Sequence, residues 1–211
     1  MKRFLMVAMA VIVAIGCMAS KPPKNDDKSL WKDAQKMAKD LTKQGWIIDG
    51  SKTLEVALYE HKIKLRDTQN GQELLGQAIG IKEIRTRQKG QSAATTNACN
   101  LYAKQARQMV AGRVNNEMGY TEGSGASPES FYEGYESKVA KEIQGELKRS
   151  FGIFREKDGH VDYQIFFVID EDEASKARMR AMENALRESE FARKHAEEIS
   201  DFVRKGFTIE Q

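Results

Sequence analysis

Few side chains in this 211-residue chain could do chemistry, and they are scattered along it. The three histidines, His61, His160 and His195, stand in different stretches, without the Cys or carboxylate spacing by which zinc is held. They read as structural or solvent-facing side chains, and no metal or cofactor is expected. Gly123-Ser124-Gly125 lacks the Gly-x-Ser-x-Gly order and preceding strand of a nucleophile elbow, and no matched base accompanies it. It reads as a loop, and no catalytic residue is assigned. Asp170 to Glu173 gathers four carboxylates where a helix should begin. There they oppose the positive end of the helix dipole, and the alternating ligands and glycine turn of a calcium loop are missing. Arg85, Arg87 and Lys89 form a short basic run, read as a charged strand edge that discourages sheet-to-sheet pairing, with contact to an anionic polymer as the rival use.

The two cysteines differ sharply in setting. Lys2 and Arg3 precede an apolar run of twelve residues, Phe4 to Ile15, the layout of a secretory signal and too short for a permanent membrane span. The run ends in Ala14-Ile15-Gly16-Cys17, which resembles the bacterial lipoprotein signal, with Ala14 where leucine is usual and Ile15 where a small residue is usual. That resemblance implies a signal peptide over residues 1–16 and acylation of Cys17 as the new N-terminus; an ordinary signal cleaved after Ala19 is the alternative. Several acyl chains on one cysteine hold a protein to a bilayer where one chain does not, at about 0.8 kcal/mol per buried methylene. Met18 follows the cysteine, not the Asp that retains such proteins at the inner membrane, so an outer-membrane anchor facing the periplasm is expected rather than surface display. Residues 17–28 form the lipidated cysteine and a polar tether with two adjacent prolines, Pro22 and Pro23. With Cys17 used by lipid, Cys99 has no partner for a disulfide and reads as a small buried residue in an Ala-rich stretch.

Charged residues make up 31% of the chain and apolar ones 40%, which excludes both a disordered composition and a bundle of membrane spans. The net charge of +3 falls to +1 without Lys2 and Arg3, so no nucleic-acid partner is expected. Residues 29–211 read as a single α+β domain. The apolar spacing predicts a helix over Asp27 to Gln44, stopped by Gly45, then an extended Trp46-Ile47-Ile48 and a turn at Asp49-Gly50-Ser51. A second helix from Leu54 to about Arg66 follows. Leu74 to Arg87 reads as a strand in which Gly76 and Gly80 mark a bulge or a close helix contact. Ser92 to Met118 is the strongest helix, with small residues in its N-terminal half; Gly119 to Ser127 is a flexible connection. Pro128 opens a helix carrying Phe131, Tyr135, Val139, Ile143 and Leu147. Phe151 to Arg155 and His160 to Asp170 form a hairpin about an Asp-Gly turn. A long C-terminal helix starts at about 171 and runs to Lys205, with so thin an apolar stripe that part of it should project or pair.

Gly45-Trp46 after a Lys-rich helix, a Gly-punctuated strand, Asn97-Ala98 and Tyr102-Ala103 in an Ala-rich helix, Val110-Ala111-Gly112-Arg113-Val114, and a late hairpin feeding a charged helix together resemble the LPP-twenty-like lipoproteins of Bacteroides-type bacteria. The resemblance implies a β-α-β-β unit, an antiparallel sheet packed on the Ala-rich helix, and it brings no catalytic residue. Two functions remain open. One is a non-catalytic, membrane-anchored lipoprotein with a structural or interaction role, meeting another envelope protein or a second copy of itself. The other is an envelope hydrolase or small-ligand-binding lipoprotein whose site is assembled from distant residues.

Overall fold

The computed structural model describes residues 27–68, 70–117 and 128–188. The first helix, α1 (Lys28–Lys43), starts where the Asp27 carboxylate accepts the Ser29 and Leu30 amides at 3.1 and 3.3 Å. It stops at Gly45, whose φ of +82° lets the Gly45 and Trp46 amides turn back onto the Thr42 and Leu41 carbonyls. The short strand β1 (Ile47–Ile48) and the helix α2 (Leu54–Asp67), capped by Thr53, follow as the spacing predicts.

Next come β2 (Gln72–Ala78), α3 (Arg87–Glu117), α4 (Glu129–Ile143), β3 (Lys148–Lys157), β4 (His160–Ile169) and α5 (Glu171–Glu188). The four strands form one antiparallel sheet in the order β1-β3-β4-β2. The predicted hairpin is β3–β4, and its turn residues Asp158 and Gly159 both take positive φ, as a two-residue loop matching strand twist requires. The β-α-β-β order is present as β2, α3, β3 and β4, with α4 interposed before β3.

Apolar cores cover both faces of the sheet. On one face Tyr163, Ile165, Phe167 and Ile169 of β4 pack with Ala94, Ala98, Tyr102 and Val110 of α3, the Phe131–Ile143 stripe of α4 and the alanines of α5. On the other, Phe151, Ile153 and Phe166 pack with Trp31, Ala34 and Ala38 of α1 and Ala57 and Leu58 of α2. The small residues of α3 let its backbone reach the sheet. At Gly76 an added Cβ would stand 2.3 Å from the Ala94 carbonyl oxygen and 2.9 Å from the Ile165 Cγ2. This is the close helix contact that the glycine suggests in the sequence.

The structure corrects two expectations. The strand expected over Leu74 to Arg87 ends at Ala78, because Gly80 turns left-handed (φ +72°) and takes the chain off the sheet. The α3 helix begins at Arg87, five residues earlier than Ser92; Arg87 to Gln91 carry no apolar stripe, and the close seat of Gly90 on Tyr163 and the Arg87 guanidinium over the Phe154 ring hold that turn to the sheet. In α5 the buried side is made of four alanines, Ala174, Ala177, Ala181 and Ala185, with Met182 and Arg178, and it packs on α4. The rest of the long C-terminal helix, the Gly119 to Ser127 connection and Met118 lie outside the described residues.

Overpacking a helix–sheet contact that neither backbone can relax costs about 3 kcal/mol. Gly76→Ala is expected to lower stability by that amount in urea unfolding, whereas Gly112→Ala, with open space around it, is expected to raise it by about 0.5–1 kcal/mol.

Candidate functional site

Strand β4 has helices over both faces, so its polar side chains must be satisfied inside the fold. Asp162 is 1% exposed. Its carboxylate accepts the Gly80 amide at 2.7 Å and Nε of Arg155 at 2.9 Å, and Nε2 of His160 stands 3.2 Å away. The Arg155 guanidinium in turn lies over the Trp46 ring, 4.5 Å from its centroid, and donates to the Gln44 carbonyl at 3.2 Å. One carboxylate thus ties β4, β3, the turn after β2 and the corner after α1. Burial works to raise the Asp162 pKa, but the Gly80 amide, Arg155 and the nearby His160 outweigh it and hold the carboxyl below its usual value.

The neighbouring residue, Tyr163, points to the other face and crosses β3 over Gly152, where a Cβ would meet its hydroxyl. That hydroxyl donates to Asp49, after β1, and accepts from Arg149 Nη2 at 3.1 Å; Arg149 also pairs with Asp49 at 3.3 Å. Burial first, then the Asp49 bond, pushes the Tyr163 phenol far up, so it stays protonated and serves as a fixed donor. A third cluster closes the helical layer. The Arg178 guanidinium of α5, fully buried, donates to the Tyr102 hydroxyl of α3 and pairs with Glu171. Burial raises the phenols of Tyr102 and Tyr135 beside it.

The residues singled out in the sequence are not brought into one site; of them, His160 and Glu171 belong to these clusters. His61 is buried in the α2 face, stacked edge-on to Phe151 and Phe166, with Nε2 2.7 Å from Glu73. His160 belongs to the Asp162 cluster, and Cys17, His195 and Gly123-Ser124-Gly125 lie outside the described residues. Cys99 is buried in the core, and burial raises its thiol pKa, which disfavours the reactive thiolate. Asp170 caps α5 through the Asp172 amide at 3.0 Å, while Glu171 and Glu173 pair with Arg178 and Lys176. Among the described residues, no three of His, Cys, Asp and Glu stand together as a metal set.

The basic run is also corrected. Arg85, Arg87 and Lys89 lie at and before the start of α3, not on a strand, and the Arg87 guanidinium sits over the Phe154 ring, 3.8 Å from its centroid. Their placement follows from the left-handed turn at Gly80, which takes the chain off the sheet.

A surface groove of about 400 Å³ runs along Gln88, Gln91, Ser92, Thr95 and Thr96 of α3 to Gln144. It lies along the α3–α4 packing where α4 has already ended, and its amides and hydroxyls are uncharged. Arg178, Asp162, Tyr163, Asp49 and Arg149 escaped the sequence reading. Only Arg178 left a signal, a lone charge inside the stripe of Ala174, Ala177, Ala181 and Met182. No known family matches the chain, and no curated protein or solved structure matches it.

A carboxyl whose pKa is lower folded than unfolded stabilises the fold above its unfolded value, about 3.9, and that stability is lost as pH falls through the folded value. Urea unfolding between pH 2 and 6 should therefore show wild-type stability falling below about pH 4. Asp162→Asn should be less stable at neutral pH and lack that part of the acid slope; equal slopes would mean that Asp162 is not the group responsible.

Proposed function

We propose that this chain is a lipid-anchored protein of the bacterial outer membrane, facing the periplasm, whose domain has a structural or interaction role without catalysis. The observation that carries the reading is the position of Cys17. It closes an apolar run behind Gly16 and stands ten residues ahead of Asp27, the cap of the first described helix. The nine residues from Met18 to Asp26 reach at most about 30 Å, so a lipidated Cys17 would keep the domain close to its membrane.

Further support comes from how the domain spends its chemistry. The buried carboxylate, phenols and guanidinium join elements distant in the chain, and the thiol of Cys99 is in the core. No helix among the described residues is long and apolar enough to cross a membrane. The likeness to LPP-twenty-like lipoproteins agrees with this assignment.

Mass spectrometry of native material tests it directly. A mature N-terminus at Cys17 carrying acyl chains is expected, and Cys17→Ser should leave an uncleaved, unacylated chain. A free Cys17 thiol, or an N-terminus at Ser20 after cleavage behind Ala19, would overturn the anchor.

A further inference from the structure

We infer that the outer edge of β2 docks a second copy of this chain, β2 against β2, joining two four-stranded sheets into one of eight strands. This deepens the interaction role proposed above, and it does not depend on whether Cys17 carries lipid.

The sheet order leaves β2 at one end, paired with β4 along all seven residues from Gln72 to Ala78 and backed by α3. The direction of its free groups is set by two hydrogen bonds. The Asp49 amide donates to the Gly152 carbonyl at 2.8 Å, so Gly152 points toward β1. Antiparallel alternation and the observed register then turn Ile165 toward β2, Gly76 toward β4, and Glu73, Leu75 and Gln77 outward. The Asn97 side chain confirms that direction independently, donating to the Gln77 carbonyl from the edge side at 2.7 Å. Among the described residues, no backbone partner reaches the outward amides of Glu73, Leu75 and Gln77.

Edges of this length are normally blunted by Lys, Pro, a bulge or inward charge. β2 has an unbroken register, no proline, and one charged residue, Glu73, whose carboxylate is held by His61. Two of the three large apolar residues exposed among the described residues flank the same edge. Ile79, 41% exposed, follows the last residue of the strand, and Leu101, 46% exposed, lies one turn beyond Asn97 on α3.

A second copy fits because the strand is complementary to itself. A two-fold axis through Leu75 sets Leu75 opposite Leu75 and Glu73 opposite Gln77, so like charges do not meet, and up to about six backbone hydrogen bonds form. The Gln77 carbonyl can accept one of them beside Asn97, having two lone pairs. The same axis, perpendicular to the sheet, places both α3 helices on one side and brings their Leu101 sides toward each other.

Light scattering on the full chain in detergent, at about 100 μM, should give a dimer, well within reach of an interface of ordinary size. Gln77→Pro removes an outward amide that the single chain does not use, and Leu101→Lys charges an exposed site. Each should weaken dimerisation at least tenfold, while circular dichroism shows the fold intact. Cys17→Ser in the same detergent should dimerise like wild type, which separates this test from that of the anchor. A wild-type monomer, or a dimer that neither variant weakens, would overturn the proposal. So would a monomer whose Glu73, Leu75 and Gln77 amides resist hydrogen exchange, since the chain's own residues would then cover the edge.

Discussion

The structure depends on β4 having no solvent face. A central strand roofed by helices on both sides must be apolar at both parities or must settle every polar atom internally. β4 combines the two: Ile165, Phe167 and Ile169 join one core and Phe166 the other, while Asp162 and Tyr163 each meet a guanidinium. Because β2 and β3 take their register from this strand, an error in its placement would shift both cores together.

Close approach is the second condition. Gly76, Gly90 and Gly152 occupy positions where a Cβ would strike the Ala94 carbonyl, the Tyr163 Cβ and the Tyr163 hydroxyl in turn. Small residues on α3 and α5 repeat the pattern within the helical layer, so α3, α4 and α5 pack on the sheet and on each other with little space to spare. The buried charges, Arg178 and Asp162, tie elements together through Glu171 and Arg155, since removing either partner would leave a buried charge uncompensated.

The surface of the domain offers bonding capacity in two places, a groove along α3 and the outer edge of β2. The groove beside Gln144 is lined by uncharged amides and hydroxyls, one of which, on Thr95, already donates to the Gln91 carbonyl of its own helix. The β2 edge is different in kind, because backbone amides in a seven-residue row offer an ordered template that isolated surface groups do not. An anchor that holds copies in one plane, as proposed for Cys17, would raise their local concentration and favour such pairing.

Local physics made much of the fold legible in the residues themselves. Asp27 and Gly45 bracket α1, the Asp158-Gly159 pair makes the hairpin, and Phe131, Tyr135, Val139 and Ile143 mark the buried side of α4, each within a few residues of its cause. The N-terminal motif at Cys17 is likewise a matter of sequence alone. What only the tertiary structure decided are the features that depend on residues far apart in the chain. Asp162 is buried because Gly80, far from it in the chain, and Arg155 bond its carboxylate, with Trp46 beneath the Arg155 guanidinium. The end of β2 at Ala78 was hidden because Gln77, Ile79 and Ile81 share one parity across it, and the Gly80 turn shows only in the backbone. Local spacing sets helix and strand through neighbouring torsions, whereas burial of a charge and the fate of a strand edge are set by which distant surfaces come to lie against them.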